Sequence, residues 1–172
     1  MCEEESQIEE VSKSELLSKI NDIIDRFNRD HGFEYGFELM ELMVYEDKVK
    51  IAIGYTRKFF EISEYVASAV EQSDCNESSN ECEELFEKLY NEQLSEINDE
   101  YAISIDGYLK FNDTEIKFHR LKCDGDYCDV GLEMDIVMPL YDVESILSVV
   151  QQALTIMWQI ILLYDATLPS IF

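Results

Sequence analysis

Between Cys128 and Leu163 the hydrophobic period of the chain changes once, with almost no linker at the change, and few folds can accommodate that. Cys128, Val130, Leu132, Met134, Ile136 and Met138 share one parity, while Asp129, Gly131, Glu133 and Asp135 share the other. A period of two with one apolar side is a strand with one buried face. Pro139 lacks the N–H that a sheet ladder needs, so the strand ends there. From Val143 the apolar residues Val143, Ile146, Leu147, Val150, Leu154, Met157, Trp158 and Ile161 recur at helical spacing, behind an Asp142 placed to cap the first free amides. A strand joined this closely to a long helix must lie beneath it, so sheet and helix share one core.

Upstream, the same two periods organise the rest of the chain. Residues 1–12 are an acidic leader expected to fray, and 13–172 read as a single domain. The spacing of Leu16, Leu17, Ile20, Ile23, Ile24 and Phe27 predicts a helix from about Ser14 to Arg29, closed by Asp30-His31-Gly32. Phe33 to Glu46 alternates, with Phe33, Tyr35, Phe37, Leu39, Met43 and Tyr45 on one side, and Val49, Ile51, Ile53 and Tyr55 continue as the second strand of a hairpin. Lys58 to Val70 fits a helix better than a strand, although Phe59 to Ser63 could also extend the sheet. The polar run near 71–81 reads as a flexible loop, followed by a helix over Glu81 to Asn98. Three further strands are predicted over Tyr101–Phe111, Glu115–Cys123 and the run from Cys128. The expected class is α+β: an antiparallel meander sheet packed by an N-terminal helix, one or two middle helices and a long C-terminal helix.

Charge narrows the partners. Thirty-eight acids against thirteen bases leave a net charge of −25 over 172 residues, which repels bare nucleic acid and anionic membranes. The field concentrates between Glu61 and Glu100, where thirteen acids face one base, Lys88. Four of the bases, Lys48, Lys50, Arg57 and Lys58, crowd the second strand and are expected to pair with nearby carboxylates. No charged residue occurs between Ser145 and Tyr164, but Ser145, Ser148, Gln151, Gln152, Thr155 and Gln159 fall on one side of that helix, so packing rather than membrane insertion is expected. The N-terminus resembles no secretory signal, so a cytoplasmic protein with five reduced thiols is expected. On that reading Asn76-Glu77-Ser78 is no glycosylation acceptor.

Little in the chain suggests catalysis. His31 and His119 are the only imidazoles, and His119 beside Lys117 and Arg120 reads as a surface or edge residue. There is no Gly-rich phosphate loop, and Asp124, Asp126 and Asp129 lack the length and terminal Glu of a calcium loop. Cys123 and Cys128 flank a turn like half a zinc site, but no second Cys/His pair completes it. The expectation is no catalytic residues, no metal and no cofactor.

Glu83-Glu84-Leu85-Phe86-Glu87-Lys88-Leu89-Tyr90-Asn91-Glu92, together with Val130 to Leu140 leading into the last helix, resembles the small acidic YbjN-like proteins and type III secretion chaperones, as does the order of elements. The resemblance implies a homodimeric, non-enzymatic adaptor holding a partner segment against its sheet and helices. Glu83, Glu84, Glu87, Glu92 and Glu96 are the candidate partner-binding residues. Ile160, Leu162 and Leu163, with Leu168, Ile171 and Phe172 beyond them, offer surplus apolar surface for a dimer. The alternative from charge alone is a nucleic-acid mimic, a virus- or plasmid-encoded antagonist whose α-helical acids occupy the basic groove of a nucleic-acid enzyme.

Overall fold

A computed structural model describes residues 2–33, 36–76, 79–123 and 127–167, with side chains from 13 to 166 within those ranges. The order is α1 (Cys2–His31), β1 (Gly36–Val44), β2 (Lys48–Glu61), α2 (Ile62–Glu71), α3 (Glu81–Tyr101), β3 (Gly107–Phe111), β4 (Thr114–Leu121), β5 (Tyr127–Pro139) and α4 (Val143–Thr167). All strand pairs are antiparallel, in the order β1-β2-β5-β4-β3. The α+β class expected from the two periods is what the molecule has. Tyr35, the Asp124–Asp126 turn, Glu77 and Ser78, and the apolar tail at Leu168, Ile171 and Phe172 lie outside the described residues.

β5 sits at the centre of the sheet because it is the strand with the longest unbroken apolar face. Val130, Leu132, Met134, Ile136 and Met138 are all buried, as are their neighbours Val49, Ile51 and Ile53 on β2 and Ile116 and Phe118 on β4. α4 covers that face with Ile146, Val150, Ala153, Leu154, Met157 and Ile161, and α1 adds Leu16, Ile20 and Ile24 beside it. Leu147 and Trp158, expected in the same core, pack against it half-buried. Asp142 caps α4 as its position predicted: its Oδ1 accepts from the Ser145 amide at 2.8 Å.

Four local expectations are corrected. α1 begins at Cys2 rather than Ser14, so the acidic leader forms its first turns. Glutamates are good helix formers, and no Gly or Pro interrupts the run before Gly32. Gly32, at φ 65°, then closes the helix while the Phe33 amide reaches the Asn28 carbonyl at 3.2 Å. In β1 a bulge between Leu39 and Glu41 reverses the parity, so that Leu42 rather than Met43 is buried. Lys58 to Glu61 belong to β2, because β5 extends far enough to pair Lys58 with Val130 and Glu61 with Tyr127; α2 starts only at Ile62. α3 continues to Tyr101, and Ile103, instead of starting a strand, is buried with its amide on the Gly131 carbonyl at 2.9 Å.

Beyond a bulge at Thr56/Lys58, β2 and β5 run on as a two-stranded ribbon. There a second core forms from Ile62, Val66, Ile97, Ala102, Cys123, Cys128 and Val130, roofed by α2 and α3. The close approach of the Tyr55 carbonyl at this bulge leaves no room for a Cβ on residue 131, which explains its glycine.

Candidate functional site

Both α1 and α4 lie on one face of the sheet, and the strands' alternate side chains form the opposite face. The registers place Tyr108, Lys117 and Asp135 in one row, and Gly54, Glu133 and His119 in the next. Met40 lies across Gly54, filling the space a Cβ would need there. Further along, on the ribbon, Phe59 and Tyr127 stack with centroids 6.3 Å apart. Several large side chains on this face are open to solvent: Tyr127 at 70%, Tyr108 at 58%, Met40 at 48% and Phe59 at 38% exposed. Among the described residues no helix covers them.

The polar centre of this face is built by strand geometry. His119 pairs directly with Glu133, and Asp135 follows two residues later on β5, so all three project the same way. His119 Nε2 lies 2.6 Å from Glu133 Oε2 and 3.0 Å from Asp135 Oδ2. Partial burial pushes the Glu133 carboxyl up; His119 and Lys50 oppose that, while Asp135 and Glu41 reinforce it. A shallow depression beside the cluster is lined by Asp106, Tyr108, Lys117, His119 and Asp135.

Glu83, Glu84, Glu87, Glu92 and Glu96 all stand exposed on α3, away from this face. Ile160 packs half-buried against the main core, whereas Leu162 at 47% and Leu163 at 65% are exposed. The two sets of residues singled out by sequence therefore lie on different elements, and neither belongs to the open sheet face. By length and composition α4 could cross a membrane, with a mean hydropathy of 1.8 over its most apolar window. Its polar side, Ser145, Ser148, Gln151, Gln152, Thr155 and Gln159, is exposed, and its large apolar residues, Leu162 and Leu163 apart, lie in or against the core.

The expectation of five reduced thiols is corrected: Cys75 is bonded to Cys82 and Cys123 to Cys128, with Cα atoms 5.4 and 5.0 Å apart. Two ends of a short loop and two ends of a hairpin are brought within bridging reach by the fold itself. The clustered bases also find mixed partners. Arg57 forms an ion pair with Asp165 at 2.6 Å, while Lys48 and Lys58 sit over the rings of Tyr45 and Tyr101 at 5.0 and 5.7 Å.

Comparison of the chain with protein-family models, with curated proteins and with solved structures finds no match. The open-face residues escaped sequence reasoning because a strand's polar parity looks like ordinary solvated surface. The available signal was the pair Glu133 and Asp135 at a spacing of two on the strand with the best-defined buried face.

Proposed function

We propose that this chain is a non-enzymatic, acidic protein-binding module of the adaptor or chaperone kind, holding an extended and basic partner segment on its uncovered sheet face. The observation that carries this is the exposure of Tyr127, Phe59, Met40 and Tyr108, spread over a face that the helices leave open. Aromatic rings supply large contact area at low entropic cost, methionine adapts its shape to the partner, and a face that also bears carboxylates in a chain at −25 suits a cationic segment. Leu162 and Leu163 provide an apolar patch for a second copy, so the module works as a homodimer in this proposal.

Selection of binding peptides from a random display library tests it. Sequences enriched in Lys or Arg with apolar residues between them are expected, and the double variant Tyr108→Glu, Tyr127→Glu should abolish their binding. Replacing Glu83, Glu84, Glu87 and Glu92 by Gln should leave it unchanged.

The exposure of all five candidate glutamates on α3 favours one second reading, the nucleic-acid mimic. That reading predicts the reverse pattern: the four-Gln variant loses binding to a basic partner, steeply so at low salt, and the tyrosine variant keeps it.

A further inference from the structure

His119, Glu133 and Asp135 carry an inference that does not depend on the partner-binding reading. Their three donor atoms, one imidazole nitrogen and one oxygen from each carboxylate, lie within 4.8 Å of one another. A protonated imidazole nitrogen directs its hydrogen along one line and serves one acceptor well. Here Nε2 faces two carboxylate oxygens at once, at 2.6 and 3.0 Å. Ligands held about 2.1 Å from a divalent ion are about 3 Å apart at right angles and about 3.4 Å apart at the tetrahedral angle, so an outward shift of the carboxylates by less than about 1 Å admits the ion. The proton's place between these groups is thus also a place for a cation that all three can bind.

We propose that His119, Glu133 and Asp135 form a site for one divalent first-row transition ion of the zinc type. The imidazole nitrogen selects such an ion over calcium or magnesium, which prefer all-oxygen shells. Two carboxylates balance its charge, and the strongly negative chain raises the local concentration of cations. Lys117, the register partner of Asp135, and Lys50 near Glu133 are opposing charges on the same face, with Lys110 and Lys48 one row or more further along it. Two ligands on one strand and one across on its neighbour are held by the hydrogen-bonded centre of the sheet, so the set is pre-organised. The depression lined by Tyr108, Lys117 and Asp106 leaves space for water to complete the coordination.

The test is a titration of the full chain with zinc chloride after dialysis against a chelator, in about 150 mM salt to suppress diffuse counterion binding. Calorimetry should give one saturable site per chain. The histidine ring signals provide an internal control, because the chain has only two histidines: His119 should shift and His31 should not. His119→Gln and Asp135→Asn should each weaken binding by about tenfold or more, on the scale seen when metal ligation is disturbed. Glu83→Gln with Glu87→Gln should leave it unchanged. The near-isosteric Asp135→Asn keeps the test decisive if His119→Gln disturbs folding. Absence of a saturable site, an unmoved His119 ring, or affinity kept within a factor of two in Asp135→Asn would each overturn the proposal.

Discussion

The two cores of this molecule are anchored alike and filled differently. In each, an asparagine on a helix pairs with the backbone of one residue as a neighbouring strand would. Asn28 of α1 donates to the Phe37 carbonyl and accepts from the Phe37 amide, both at 2.8 Å. Asn98 of α3 does the same for Cys123, at 3.0 and 2.7 Å. The filling differs. The main core stacks fully buried isoleucine, leucine and methionine from four strands and two helices. The second has seven buried residues under α2 and α3, two of them the bonded Cys123 and Cys128, with half-buried Phe60, Phe86, Leu89, Leu94 and Tyr101 around them. A core that small removes little apolar surface from water, and covalent cross-links lower the entropy of the competing unfolded chain. β2 and β5 thus carry one lobe with a large apolar core and one small lobe closed by disulfides.

The sharpest contrast should come from core truncation. Ile136, fully buried at the centre of β5, should lose about 2 to 5 kcal/mol on replacement by alanine, and chemical denaturation should report one cooperative loss. Val66→Ala, in the second core, should cost less and should loosen α2 and α3 before the sheet. Equal losses in both would erase the distinction. Next, Gly131→Ala should cost about 1 to 3 kcal/mol, because the added methyl meets the Tyr55 carbonyl where the ribbon leaves the main sheet. Asn98→Ala should cost about 1 to 3 kcal/mol by leaving the amide and carbonyl of buried Cys123 without the partners Asn98 supplies.

The smallest effect belongs to the cap of α4. Hydrogen bonds from Ser145 hold the Asp142 carboxyl below its ordinary range. A depressed carboxyl contributes stability that is present above the unfolded pKa and lost as pH falls through the folded one, so this contribution disappears on acidification. Asp142→Ala should therefore differ from the parent near neutral pH and match it in acid, as read by thermal melting.

How legible each region was in the sequence follows from the same contrast. The β5–α4 unit could be read because every second residue, and then every third or fourth, is apolar without a break. The class of the fold and the burial of Leu132, Ile136 and Val150 followed from that. The bulge in β1 was not legible, since one extra residue reverses parity and Met40, Leu42 and Val44 make either parity plausible. The strand at Lys58 to Glu61 was legible only as the alternative to a helix, because its pairing depends on how far β5 extends, a non-local fact. His119, Glu133 and Asp135 were individually visible but unremarkable; only the register of β4 against β5 brings them together. Asn28 and Asn98 look like ordinary helix residues until their backbone partners, Phe37 and Cys123, are placed. The cysteine pairs were not legible because an odd count of five points to reduced thiols, and only the folded chain brings the bonded positions together.

The most direct test of the two-lobe account is native-state hydrogen exchange on the folded chain with and without a thiol reductant. Reduction should accelerate exchange in α2, α3 and the ribbon from Lys58 to Glu61 while the amides of α4 and of β5 around Ile136 stay protected. Uniform acceleration across both lobes, or an α2–α3 lobe whose protection is unchanged by reduction, would contradict the claim that the second core is held by its staples.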